Sequence, residues 1–148
     1  MSYKGVFRPH NPEKYKGNPT QIIYRSLWEL KFMRYLDADT RVLEWSSEEF
    51  FIPYFDPSSG RARRYFPDFW ARIKDKTIVF EIKPYKQTIP PILPKKGINV
   101  PKKGRIIKEA MTYMTNDAKW KAAIKYCEER KWEFKILTEK ELAFPQYK

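Results

Sequence analysis

Two short apolar alternations meet across a polar turn in the middle of this 148-residue chain. Phe69, Ala71 and Ile73 alternate with Trp70 and Arg72, and Ile78, Phe80 and Ile82 follow the same period beyond Asp75-Lys76. A period of two is that of β-strands, so Phe69 to Lys74 and Thr77 to Lys83 are read as a hairpin. A turn of two residues (Asp75, Lys76) or of four (Lys74 to Thr77) sets Ile73 against Ile78, Ala71 against Phe80 and Phe69 against Ile82. Opposed residues of an antiparallel pair project to one side, so all six apolar side chains then share a face. The other face holds Asp68 opposite Lys83 and Trp70 opposite Glu81. A three-residue turn would flip one strand and break both clusters.

Asp68, Glu81 and Lys83 thus converge at one end of the hairpin. Two carboxylates close together repel, and one of them holds its proton unless a cation shares them. Mg²⁺ suits such a pair, because it takes one or two carboxylates plus water and substrate phosphate. It can polarise a phosphodiester and acidify a bound water, while the lysine offsets charge developing in the transition state. A third carboxylate from another element would complete the set. Glu29 is the best placed, with Glu48 and Glu49 as further candidates. The plain alternative for the same charges is a solvated cross-strand ion pair, and for Glu29 a helical pair with Arg25.

Composition narrows the classes of function. The single Cys127 and single His10 exclude disulfide frameworks, multi-cysteine zinc sites, iron–sulfur sites and histidine-cluster chemistry. Cys127 is expected as a buried small apolar residue and His10 as an exposed one. No apolar run approaches the ~18 residues of a membrane span, and Met1 to Lys16 lack a signal-peptide core, so no membrane partner is expected. The formal charge is +12. Residues 1–60 are neutral and residues 109–148 carry +1, so a net +11 is concentrated in residues 61–108. A field localised in this way attracts phosphate backbones. Arg61, Arg63, Arg64, Lys86, Lys95, Lys96, Lys102, Lys103 and Arg105 are the candidate DNA-binding residues.

The remaining elements complete a mixed α/β or α+β single domain. Residues 1–17 read as an irregular arm. Asn18-Pro19-Thr20-Gln21 has the spacing of a capping box, with Pro at the first helical position, and predicts a largely enclosed helix to about Asp37. Its narrow polar stripe would be Gln21, Arg25, Ser26 and Glu29. Val42 to Ser46, Phe50 to Phe55 and Arg61 to Phe66 are expected strands, the last two joined by a Pro57-Ser58-Ser59-Gly60 turn. Pro84 to Gly104 contains five prolines and five lysines and is expected as an exposed strap beside the site. Arg105 to Arg130 reads as a helix with a possible break at Asn116-Asp117. A final strand, Lys131 to Leu137, precedes a short helix opened by the capping box Thr138 to Glu141.

Pro67-Asp68, followed after twelve residues by Glu81-Ile82-Lys83, resembles the P-D…(D/E)-x-K signature of restriction-endonuclease-like nucleases. Tyr24-Arg25-Ser26-Leu27-Trp28-Glu29 resembles the helix-borne Glu motif of the transposon-end endonuclease TnsA, and Arg64 to Trp70 and Phe80 to Pro84 resemble its core. The chain is similar over most of its length to the head-completion proteins of T-even-type tailed phages. That similarity includes Tyr15-Lys16-Gly17, Ile52-Pro53-Tyr54-Phe55, Asn116 with Lys119 to Ala123, and Phe134 to Glu139. The resemblance implies a central mixed β-sheet flanked by helices and Mg²⁺-dependent endonuclease chemistry, with Mn²⁺ able to substitute. It implies catalytic positions at Glu29, Asp68, Glu81 and Lys83, with metal held by Asp68, Glu81 and Glu29. It further implies portal, neck or capsid partners, residence in the virion and the infected host's cytoplasm, and a role in finishing filled heads before tails attach. A structural head or neck protein with a vestigial site, and a TnsA-like transposition or junction-resolving subunit, are the alternatives.

Overall fold

The computed structural model describes residues 4–91 and 103–143, with Lys103 described by its backbone only. The architecture is mixed α+β. Strands β3 (Val42–Ser47), β6 (Phe69–Ile73), β7 (Lys76–Ile82) and β8 (Glu133–Leu137) form a four-stranded sheet in the order β3-β6-β7-β8. β3, β6 and β7 are antiparallel in succession, and β8 lies parallel to β7. Two ribbons flank the sheet: β1 (Gly5–Phe7) with β2 (Ile22–Tyr24), and β4 (Ile52–Asp56) with β5 (Arg61–Tyr65).

The two sheet faces support two cores. On one face Phe69, Ala71, Ile78 and Phe80 pack with Phe32, Met33 and Leu36 of α1 (Leu27–Ala38) and Leu142 of α3 (Glu139–Leu142). Phe32 is completely buried, its ring 5.1 Å from Phe69 and 4.9 Å from Phe80. On the other face Phe134 and Ile136 pack with Ile52, Tyr54 and Tyr65 of the β4–β5 ribbon and with Trp120 and Ala123 of α2 (Lys103–Arg130). α2 is one continuous helix of 28 residues with no break at Asn116-Asp117. Asn116 is buried at that point rather than freed by a kink.

The hairpin keeps the expected faces but shifts its register by two residues. Ile73 pairs with Lys76, Ala71 with Ile78 and Phe69 with Phe80. The turn residues are therefore Lys74 and Asp75, with Lys74 in the left-handed region at φ 55°. A slip of two preserves side-chain parity, so the apolar face survives. Continued one step, the same register sets Asp68 opposite Glu81 rather than opposite Lys83.

The first helix begins later than its sequence signal. Asn18 Oδ1 accepts from the Thr20 amide at 3.0 Å and from the Thr20 hydroxyl at 2.6 Å, a local turn that needs no helix. Ile22–Tyr24 instead extend and pair with Gly5–Phe7, so the arm is not irregular. The arm is also tied at buried Asp37, whose carboxylate accepts the His10 and Asn11 amides at 2.8 and 3.0 Å. Ser26 is the true N-cap, accepting from the Glu29 amide at 3.1 Å. The helix is also less enclosed than its composition suggests, because Leu27 and Trp28 in its first turn are exposed. Gln21 and Arg25 precede it. The Pro57–Gly60 turn forms as expected, closed by the Gly60 amide on Asp56 O at 2.8 Å, with Gly60 at φ 67°. The Thr138 capping box is also present. His10 is exposed and Cys127 buried. Of the strap, Pro84 to Pro91 includes a 3₁₀ turn at Tyr85–Gln87, and Lys103-Gly104 already belong to α2; residues 92–102 lie outside the described residues.

The two competing caps make distinct forecasts. Ser26→Ala is expected to cost about 1 kcal/mol of stability, the usual loss for a helix N-cap. Asn18→Ala should cost clearly less, since it ends only an exposed turn. Urea unfolding of both variants measures the difference; equal losses would place the functional cap wrongly.

Candidate active site

Asp68 sits immediately before β6, after fully buried Pro67. Its Oδ2 accepts from the Ile82 amide of β7 at 2.8 Å, which fixes the carboxylate across the strand pair. Glu81 is buried within β7, on the sheet face opposite the Phe69–Phe80 core. Lys83 follows β7, and its amide continues the parallel pairing by donating to Leu137 O at 3.0 Å. Asp68, Glu81 and Lys83 are therefore brought together at one end of the hairpin.

Two further residues complete this arrangement, and neither was marked as a site residue by the sequence. The Tyr65 hydroxyl, at the end of β5, donates to Glu81 Oε2. The Lys119 ammonium, from α2, lies 5.6 Å from the centre of the Tyr65 ring. Both residues belong to the segments similar to known nucleases, but their roles depend on how the ribbon and α2 dock. The sequence signals for Lys119 are its place in the Lys119 to Ala123 segment of that similarity and beside Trp120, which is buried.

The electrostatics are those of a strained acidic pair. Burial, then the adjacent Glu81 charge, pushes the Asp68 carboxyl well above its ordinary range. Glu29 adds to this repulsion, so its carboxylate acts on Asp68 through space. Burial also raises Glu81, although the Tyr65 hydroxyl, Lys83 and Lys119 oppose that rise. Burial lowers the Lys119 ammonium, and the nearby Lys83 charge lowers it further. Burial likewise raises Glu29, which is held at the start of α1 by Ser26. Glu48 is engaged by Arg25, and Glu49 accepts from the Tyr15 hydroxyl at 2.8 Å. Glu29 is thus the acidic neighbour of the pair that these partners leave in place.

A pair of desolvated oxygen donors beside cations matches the coordination preference of a hard divalent ion. Among the described residues, no group of three or more His, Cys, Asp or Glu side chains is arranged to hold a metal ion. The donor set at the hairpin is accordingly a pair, Asp68 and Glu81, with Glu29 as a field-bearing neighbour.

The expected DNA-binding residues are more dispersed. Arg63 donates to Ser59 Oγ at 3.2 Å and lies 3.3 Å from Asp56. Arg64 lies over the rings of Phe51 and Phe66. Arg105 pairs with Glu109 at 3.2 Å. Arg61 and Lys86 are exposed. Lys95, Lys96 and Lys102 fall outside the described residues, as does the Lys103 side chain.

A mixed sheet with paired carboxylates and a lysine at the end of its central hairpin defines a nuclease of the restriction-endonuclease-like class. The chain belongs to the TnsA-like endonuclease family, whose N-terminal domain matches residues 39–139. This segment contains Tyr65, Asp68, Glu81, Lys83 and Lys119; Glu29 precedes it. A head completion nuclease of Enterobacteria phage T4 is 43% identical over 140 residues, covering 94% of this chain and 93% of that protein.

The strained pair has a thermodynamic consequence. Asp68 and Glu81 bind protons more tightly folded than unfolded, so they stabilise the fold at low pH and lose that contribution as pH rises through their raised values. Asp68→Asn keeps an oxygen acceptor for the Ile82 amide and removes the charge. In metal-free buffer it should melt above the wild type near neutral pH, by roughly 2–4 °C for each kcal/mol relieved. The gap should close below about pH 4, where an unfolded Asp also protonates. Thermal melts across pH provide the check, and a gap independent of pH would exclude charge repulsion as its cause.

Proposed function

We propose that the protein is a metal-dependent DNA endonuclease that hydrolyses phosphodiester bonds during completion of a tailed-phage head, before tail attachment. The observation that carries the reading is the desolvated Asp68–Glu81 pair flanked by Lys83, in a chain 43% identical to a head completion nuclease. Asp68 and Glu81 would hold Mg²⁺, or Mn²⁺ in its place, with Glu29 assisting directly or through water. A divalent ion at such a site supplies a Lewis acid for the phosphodiester and an acidified water. Tyr65 donates to Glu81 and fixes the direction of that carboxylate. Lys83 neutralises charge that develops on the reacting phosphate and can orient the attacking water.

The basic residues from Arg61 to Arg105 would follow the DNA backbone, with Lys95, Lys96, Lys102 and Lys103 carried by the strap and its junction with α2. Portal, neck or capsid proteins are the proposed virion partners, and the virion and infected host cytoplasm the proposed locations. No helix among the described residues is long and apolar enough to cross a membrane.

Nicking of supercoiled plasmid with and without Mg²⁺ tests the reaction. Wild type should cleave only with Mg²⁺ or Mn²⁺. Asp68→Ala should abolish cleavage without weakening DNA binding, because it removes an acidic group. Lys83→Ala should lower the rate by about 10²–10³, the scale of one lost electrostatic contact to a transition state. Wild-type protein that binds but leaves linear, branched and supercoiled DNA intact with either metal would defeat the enzymatic reading in favour of a structural head protein.

A further inference from the structure

One face of α2 carries an ordered stripe. Lys108, Thr112, Thr115 and Lys119 recur at steps of four, three and four, which places them along a single helical face. All four line a groove of about 510 Å³ whose lining also includes Lys83 and Ser58. The groove adjoins the carboxylate site through Lys83 and Lys119: Lys119 lies over the ring of Tyr65, whose hydroxyl donates to Glu81.

Its opposite wall is fixed rather than loose. Thr115 Oγ1 donates to Asp56 Oδ1 at 2.8 Å, and the same oxygen accepts the Ser58 amide at 3.0 Å and hydroxyl at 2.8 Å. The turn of the β4–β5 ribbon is thereby pinned to α2. Burial alone would raise the Asp56 carboxyl, but these hydrogen bonds more than offset it and hold it at about 2, so the anchor persists at working pH.

Among the described residues, three lysines line the groove: Lys83, Lys108 and Lys119. Lys83 is near enough for its charge to disfavour the Lys119 ammonium. Among the described residues, Lys83, Lys119 and Lys108 form no ion pair with a carboxylate, whereas other lysines on the molecule do, such as Lys121 with Asp117 at 2.9 Å. The charges of Asp68 and Glu81 act on Lys83 and Lys119 through space without tying them in an ion pair, so their N–H donors can still reach a phosphate oxygen. Lys108 stands eleven residues before Lys119, about 16 Å along the helix axis. Exposed Ile107 and Met111 line the groove near Lys108. Cations separated by apolar side chains match the alternation of phosphate and sugar along a nucleic-acid strand.

We propose that this groove holds the backbone of one DNA strand, with Lys119 and Lys83 on the phosphate at the carboxylate pair and Lys108 on a phosphate farther along. The inference rests on the DNA-cleaving reading and adds to it a strand path and two phosphate-binding residues. Ile107 and Met111 lie against the intervening sugars, and the Thr112 hydroxyl donates to a backbone oxygen.

The test is the salt dependence of binding of a labelled duplex oligonucleotide in EDTA, which needs no cleavage. Each lost phosphate contact makes the slope of log K against log salt shallower by about 0.9. Lys108→Ala and Lys119→Gln should each remove about one unit, and the double variant about two. Lys119→Arg should restore the slope, which separates charge from loss of packing on Tyr65. Lys125→Ala, on α2 but outside the groove, should leave the slope unchanged. Inorganic phosphate at millimolar level should not compete; competition at that level would mean a free-anion site and overturn the strand path. Unchanged slopes for Lys108→Ala and Lys119→Gln would also overturn it, even with cleavage intact. Lost slopes with a wild type that never cleaves in Mg²⁺ would support the groove and remove only the reaction.

Discussion

The structure is organised around a repulsion. Asp68 and Glu81 are two carboxyl groups on neighbouring strands, both removed from water and both driven above their ordinary protonation range. Isolated, such a pair would separate or be replaced by apolar residues. Here every surrounding element opposes separation: the Ile82 amide holds Asp68, the Tyr65 hydroxyl holds Glu81, and Lys83 and Lys119 supply positive charge. The stability invested in this arrangement is typical of sites kept for chemistry rather than for packing.

The way these restraints are distributed explains the architecture. Asp68 and Glu81 come from one hairpin, which fixes their mutual direction. Tyr65 comes from a ribbon outside the sheet, and Lys119 from a long helix that crosses it. The ribbon and helix share one core through Ile52, Tyr54, Trp120 and Ala123. They also share the Asp56–Thr115 hydrogen bond. The second core is therefore the support for the cationic half of the site, while the Phe32 core on the other face supports the acidic half.

Much of this was legible in the sequence for a simple reason of parity. The observed hairpin register lies two residues from the expected one, yet the faces agree because strand side chains repeat every two. Asp68, Glu81 and Lys83 accordingly shared a face under either register. What failed was local and chemical. Asn18-Pro19 has the composition of a helix start, but Asn18 satisfies its side chain in a turn, and Ile22–Tyr24 gain more by pairing with the arm. Lys119 was invisible for a different reason: its neighbour Tyr65 lies more than fifty residues away, and only the docking of α2 on the ribbon brings them together.

The parallel pairing of β7 with β8 carries a consequence in time. β8 follows Glu81 by more than fifty residues, and Ile136 lies beside Glu81 in the ladder. During synthesis the hairpin can form as soon as it emerges, but the strand that encloses Glu81 arrives only after the whole of α2. The acidic pair therefore meets its surroundings late, once nearly all of the described chain has been made. A nascent chain carries Asp68 and Glu81 long before they are desolvated, and the buried pair is complete only when β8 closes the sheet.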